Sequence, residues 1–483
     1  MYARLYQNFN FHVLLQHNRA RVGVISTPHG VLYTPAFIFC ATKAAIKSLD
    51  MKTVKECGTQ IVLSNTYHLM LQPGAETVAA LGGLHNMLGW KGPMLTDSGG
   101  YQIFSLGYGS VSEELKGKRR RANSSLIKID ESGAIFRSYI NGQLHHLTPE
   151  KSMHIQRMLG ADLVVVLDEC TPFHTSYEYT AQSMHMSNRW ALRSLEEFQK
   201  TADGTQALYC VIQGGVHSDL RHVSCEFANS SPFFGNAIGG SLGSHKQQMY
   251  DTVSLTTSLL DKSRPVHLLG IGNVCDILHG VMNGVDTFDC VYPTRIARHG
   301  AALVRPENRI SPDREYVNLY NSEFARSLAP IEQDCGCYTC NHHSRGYLHH
   351  LLKAKELLAY TLITIHNVYF MNSLMQRVRR AIAGETLEQE YEYWLGKRGA
   401  APDSASPQPP QAGKPQPHLG NQQKLRYVSC WWHLGDRKSA PALSIPGYAA
   451  ENTSDYIGRL YESYKGHWPL PHIQGGSGRS AAL

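Results

Sequence analysis

A series of about eight short apolar segments, at residues 35–39, 60–64, 93–96, 162–167, 207–212, 235–239, 265–269 and 287–291, restricts the fold of this chain more than any other feature. Helix-like stretches at 51–57, 179–199 and 247–260 lie between them. Regular alternation of strand and helix builds parallel sheets, and about eight repeats are what a (β/α)8 barrel needs. A doubly wound open sheet shares the alternation, but no G-x-G-x-x-G turn follows the first segment. The expected fold class is therefore α/β, a (β/α)8 TIM barrel. The gap at 107–160 is too long for an ordinary connection, and its alternating portion at 134–140 predicts a hairpin inserted over the barrel mouth.

With 42% hydrophobic and 18% charged residues among 483, the chain can bury a large core. No uninterrupted apolar stretch is long enough to cross a bilayer, so no membrane association is expected. A net charge of +7 permits a polyanionic partner without requiring one. The charge gathers in Lys116-Gly117-Lys118-Arg119-Arg120-Arg121 and in a second group of Arg295, Arg298, His299 and Arg305. Each group is either a solvated loop or a nucleic-acid contact.

The run Cys335-Gly336-Cys337-Tyr338-Thr339-Cys340, followed by His366 on an apolar helical stretch, supplies three thiolates and one imidazole. That set completes a tetrahedral zinc shell, and a shell closed by four protein ligands is structural rather than catalytic. The other cysteines (Cys40, Cys57, Cys170, Cys210, Cys225, Cys275, Cys290, Cys430) stand singly, mostly within apolar runs. The start of the chain lacks the charge and apolar core of a signal peptide. One structural zinc in a reduced, cytoplasmic setting is expected, not a disulfide framework.

Asp97, Asp168, Gln213, Gly240 and Asp289 each fall at or just after the carboxyl end of a different strand segment, where barrel enzymes assemble their chemistry. A single such Asp would be an ordinary turn former or helix cap; five converging residues are not. Three carboxylates can serve as nucleophile, general acid/base and acceptor for a donor-rich ligand.

The surrounding residues sharpen this reading. Thr96-Asp97-Ser98-Gly99-Gly100-Tyr101-Gln102, Asp168-Glu169-Cys170-Thr171-Pro172, Gln213-Gly214-Gly215, Ile238-Gly239-Gly240 and Phe288-Asp289-Cys290-Val291-Tyr292-Pro293-Thr294-Arg295 closely resemble motifs of the tRNA-guanine transglycosylases. The cysteine knuckle agrees in spacing, and Thr27-Pro28-His29-Gly30 and Asn65-Thr66-Tyr67-His68-Leu69 lend support. The resemblance covers residues 1 to about 394. It implies a pentosyltransferase that exchanges the wobble guanine of tRNAs with GUN anticodons for queuine or 7-aminomethyl-7-deazaguanine, in queuosine modification. By similarity Asp289 is the nucleophile that forms a covalent ribosyl ester, and Asp97 is the proton donor and acceptor. Asp97, Ser98, Gly99, Gly100, Tyr101, Asp168, Gln213 and Gly240 would bind the base, with Tyr101 stacking on it. Gly270-Ile271-Gly272-Asn273-Val274-Cys275-Asp276 and Thr294-Arg295-Ile296-Ala297-Arg298 correspond to segments that hold the tRNA anticodon loop. A homodimer is also implied. A non-catalytic subunit of a heterodimeric transglycosylase is the alternative, which the presence of both Asp97 and Asp289 opposes.

Gly240-Ser241-Leu242-Gly243-Ser244-His245 departs from the common bacterial pattern, and the missing side chain at Gly243 is expected to make room for queuine. The zinc subdomain is expected at about 306–372 within a domain spanning 1–394. Residues 395–424, rich in Pro, Gln and Ala, read as a flexible linker, and 425–483 as an extension without a recognisable motif.

Overall fold

The structure, a computed structural model, describes residues 5–108, 125–311 and 313–396. The basic block at 116–121, the extension at 425–483 and all but the first two residues of the expected linker lie outside them.

Three strands, β1 (Asn10–His17), β2 (Ala20–Thr27) and β3 (Gly30–Thr34), form an antiparallel sheet ahead of the barrel. Then come β4 (Ala36–Cys40), β5 (Val62–Ser64), β6 (Met94–Thr96), β7 (Leu126–Asp130), β8 (Gly133–Arg137), β9 (Leu144–Leu147), β10 (Leu163–Val165), β11 (Ala207–Ile212), β12 (Gly235–Ile238), β13 (Val266–Leu268) and β14 (Thr287–Cys290). Strands β4, β5, β6 and β10 to β14 close into a parallel barrel, β14 pairing with β4 so that Asp289 lies opposite Ile38. All eight expected strand segments are present, with ends within two residues of those read from sequence. They were legible because barrel strands are covered on both faces: all six residues of β11 are buried, so the strand is a continuous apolar run.

The insertion is not a hairpin. It is a three-stranded antiparallel sheet, β7 to β9, followed by the helix Pro149–Leu159. Only β8 carries a mostly buried pattern, and the partly exposed β7 and β9 give little periodic signal. Its placement at the carboxyl rim of the barrel is as expected. Ser152 Oγ donates to Ser98 O at 2.9 Å, and Tyr139 Oη lies 3.1 Å from His68 Nδ1.

One ion pair pins the first sheet to the opposite rim. Arg21 of β2 donates from Nε to Asp286 Oδ1 at 2.9 Å and from Nη2 to Oδ2 at 2.6 Å, with side chains 4% and 0% exposed. Asp286 also accepts from Val266 N at 2.7 Å, at the start of β13. Removing one partner of such a pair strands the other charge in the interior. Arg21→Met is expected to lower the unfolding free energy by about 3–5 kcal/mol in chemical denaturation; a loss below about 1 kcal/mol would show the pair to be dispensable.

After β14 the chain leaves the barrel for a second apolar cluster. Strands β15 (Ala301–Leu303) and β16 (Tyr316–Asn318) pair antiparallel, and Ala302, Val304, Val317 and Leu319 pack with Leu348, Leu352 and Ile363. The helix Leu358–Ala383 bridges the two cores: Ile363 belongs to this cluster, while Met371, Leu374 and Val378 pack into the barrel's. Among the described residues, no helix is long and apolar enough to cross a membrane.

Candidate active site and metal centre

At the carboxyl end of the barrel, the loops after β6, β10 and β11 and the end of strand β14 bring Asp97, Asp168, Gln213 and Asp289 together. Asp97 follows β6 and is half-buried. Its carboxylate accepts from Thr66 N at 2.8 Å, from Gln102 Nε2 at 3.3 Å and from Asn65 Nδ2. Burial pushes its pKa up to about 7, opposed by the Thr66 amide and reinforced by the Asp289 and Asp168 charges. Asp168 follows β10 and accepts from Gln213 Nε2 at 2.7 Å and Ser98 Oγ at 3.2 Å. Burial raises its pKa to about 6 despite those two donors.

Two glycines make this packing possible. A Cβ on Gly100 would stand 2.4 Å from Asp168 O and 2.6 Å from its Oδ1; one on Gly240 would stand 2.5 Å from Gln213 Oε1. Any side chain at either position would displace the groups beside it. The Gly240 N–H has no acceptor among the described residues, and Gln102 Oε1 is buried without a hydrogen-bond partner there. Tyr101, 48% exposed with its ring 5.9 Å from Phe104, stands at the rim in the helix Gly100–Tyr108.

Asp289, in β14, accepts from Gly270 N at 3.0 Å on Oδ1, the oxygen that His267 Nε2 approaches to 3.2 Å. Cys40 Sγ, in β4, lies 3.6 Å from Oδ2. The fully buried His267 also meets Thr287 Oγ1 through Nδ1 at 2.9 Å. If the threonine hydroxyl donates there, Nε2 carries the proton that faces Asp289. His267 and Cys40 escaped the sequence reading because each sits inside an apolar strand, where a histidine or cysteine reads as core. Asn65 and Thr66 carry no sign in the sequence that they would meet Asp97, because that contact forms only across the barrel rim.

The two segments expected to meet RNA divide by exposure. Gly270 and Arg295 are exposed and Arg298 is half-buried, whereas Val274, Cys275, Asp276, Thr294, Ile296 and Ala297 are buried. Gly272 is also buried, and Ile271 and Asn273 are partly so. Glu315 accounts for part of this, its carboxylate accepting from Val274 N at 3.1 Å and Cys275 N at 3.4 Å to cap the helix Val274–Met282. Gly243 does not open the pocket by itself. A Cβ there would stand 2.8 Å from the Gln248 side chain, so the helix Lys246–Leu259 already occupies that space.

Cys335, Cys337, Cys340 and His366 converge in the second cluster. Their four donor atoms lie within 4.8 Å of one another, with sulfurs at 3.7, 3.6 and 3.3 Å from His366 Nδ1. A tetrahedral zinc with ordinary bond lengths sets S···N at about 3.5 Å, so the geometry fits such an ion. His366 Nε2 meets Leu303 O at 2.7 Å, which places the ring proton there and leaves Nδ1 as the ligand atom.

Comparison with known proteins agrees with this layout. The family model described as Queuine tRNA-ribosyltransferase matches residues 16–400. The chain is 44% identical to the queuine tRNA-ribosyltransferase of Roseiflexus sp. (strain RS-1) over 391 residues, 79% of this chain and 97% of that protein. It is 44% identical to the one from Protochlamydia amoebophila (strain UWE25) over 366 residues, covering 76% and 92% of the two chains. The relative from Herpetosiphon aurantiacus is 43% identical over 391 residues, 80% of this chain and 93% of its own. With a family match across most of its length and relatives 43–44% identical over nearly their whole chains, the chain belongs to the queuine tRNA-ribosyltransferase family.

Proposed function

We propose that this protein is a tRNA-guanine transglycosylase that replaces the wobble guanine of GUN anticodons with queuine or 7-aminomethyl-7-deazaguanine. The observation that carries the reading is the cluster of Asp97, Asp168, Gln213 and Asp289 at one barrel rim, with an unpaired Gly240 N–H beside them. A guanine-like base offers adjacent N–H donors and a carbonyl. Asp168 and the Gln213 amide suit the donors, and Gly240 N–H suits the carbonyl. The target nucleotide would be turned out of the anticodon loop, where unstacking costs least. Exposed Arg295 and half-buried Arg298 would hold phosphates, while buried members of both segments shape the backbone that presents them.

In this reading, an Asp289 oxygen bonds to the anomeric carbon as the C–N bond to guanine breaks, and the electron pair passes to the departing base. Asp97 protonates that base and later takes a proton from the incoming one, whose nitrogen displaces the carboxylate. We read the metal as a single structural zinc. It takes no part in these steps.

Incorporation of radiolabelled guanine into unfractionated tRNA tests the assignment; a folded protein that incorporates none would overturn it. The same assay tests Asp97. A group with pKa about 7 is protonated below that pH, so guanine exchange should decline as pH rises through about 7. A flat profile between about pH 6 and 8 would remove Asp97 as the acid. The shift also has a stability consequence. Between the ordinary carboxylate range and about 7, the folded protein holds a proton that the unfolded chain has released, so stability is lost as pH rises across that window. Competition between queuine and 7-aminomethyl-7-deazaguanine assigns the preferred base.

A further inference from the structure

Arg221, on the helix Ser218–Ser230, is fully buried directly behind the base-binding residues. Its guanidinium donates only to backbone carbonyls: Nε to Gly215 O at 2.8 Å, Nη1 to Ile212 O at 2.9 Å and Nη2 to Gly239 O at 3.0 Å. No carboxylate stands within ion-pair distance of it among the described residues, although buried cations are ordinarily paired. Burial lowers its pKa to about 10, which still leaves it charged at neutral pH.

The identity of the acceptors matters. The Gly239 carbonyl belongs to the same peptide unit as the Gly240 N–H, and the Ile212 carbonyl to the same unit as the Gln213 N–H. A cation bonded to a peptide oxygen draws electron density toward that oxygen and makes the N–H of the same unit a stronger donor. The Gly240 N–H is the one left without an acceptor. A base leaving its ribose gains negative charge, which spreads to its carbonyl oxygen.

We propose that Arg221 is a positioning residue that acts through the Gly239–Gly240 peptide, strengthening the N–H that meets the base carbonyl as charge develops on it. This rests on the transglycosylase reading and adds a specific source of base affinity to it. The charge is supplied from behind the backbone, where it stays dry and does not compete for the ligand. The clamp also fixes the carboxyl ends of β11 and β12 relative to each other, which keeps Gln213 and Gly240 in register.

The test compares Arg221→Lys and Arg221→Gln with the parent protein in guanine exchange, with thermal melting as the check on folding. KM for guanine should rise about tenfold in Arg221→Gln and about threefold in Arg221→Lys, because lysine keeps the charge but loses the fork. KM for tRNA should stay within about twofold in both. A loose scaffold would raise both constants together and rank the variants alike. The proposal is overturned by an unchanged guanine KM in folded variants, by a parallel rise for tRNA, or by glutamine performing as well as lysine. Should neither variant fold, the 15N resonance of Gly240 in the unaltered protein decides: a downfield displacement supports the polarised peptide, and an ordinary glycine position overturns it. Failure of the parent itself to incorporate guanine would count against the enzymatic assignment, so the two failures are distinguishable.

Discussion

Asp289→Asn is expected to abolish guanine exchange while leaving tRNA binding and thermal stability close to those of the parent. The substitution is nearly isosteric. Asn keeps an oxygen for Gly270 N and the His267 ring, which surround Oδ1 at 3.0 and 3.2 Å, and places its amide toward Cys40. What it loses is the negative charge and the lone pair that, in the proposed mechanism, attacks the anomeric carbon. Removing a nucleophile that acts as a unit with its partners typically costs several orders of magnitude, so a fall on the order of 10⁴-fold or more is expected. A covalent protein–tRNA species on denaturing gels should appear with the parent and vanish with the variant. Exchange within about tenfold of the parent would exclude Asp289 as the nucleophile.

The second large effect belongs to the cysteine cluster. Cys337 Sγ lies 3.6 Å from His366 Nδ1, and it also caps the helix Tyr338–His342 by accepting from Cys340 N at 3.3 Å. Cys337→Ala therefore removes together a helix cap and one of the four donors that could hold a metal ion. Structural zinc contributes about 10–16 kcal/mol to the folding of small zinc domains, so losing one of four ligands should cost a large share of the local stability. Bound zinc, folded yield and tRNA affinity should fall together. The link to tRNA is mechanical. His366 sits on the helix Leu358–Ala383, whose Asn367 donates to Pro293 O at 2.9 Å and Ala301 O at 3.1 Å, bracing the short helix Tyr292–Ala297 that bears Arg295. A zinc-free variant with the parent's melting temperature and tRNA affinity would refute this role.

Much of the barrel could be read before any coordinates, and the reason differs from element to element. Strand β11 was plain because both its faces are covered. Strand β1 was not: six of its eight residues are exposed, so NFHVLLQH has neither the continuous nor the alternating pattern of a buried strand. The three-stranded insertion gives only a hairpin's worth of signal for the same reason, since β7 and β9 are largely exposed or half-buried. Asp97, Asp168, Gln213 and Asp289, which the fold gathers at one rim, are legible in the sequence because polar residues at the ends of apolar runs stand out. His267, Cys40 and Arg221 are not, since each looks like ordinary core or helix surface until its neighbours are known.

The amino-acid order alone determined the number of barrel strands, the three-cysteine, one-histidine set that could hold a metal and the presence of carboxylates at strand ends, because burial periodicity and residue spacing are properties of the sequence itself. Tertiary structure decided what surrounds those groups. Closure of β14 onto β4 sets Cys40 beside Asp289 across 249 residues, and Arg21 meets Asp286 across 265. The shift of Asp97 toward neutrality arises chiefly from burial by segments remote in sequence. Desolvation and charge coupling depend on distance in space, and that distance exists only once the barrel has closed.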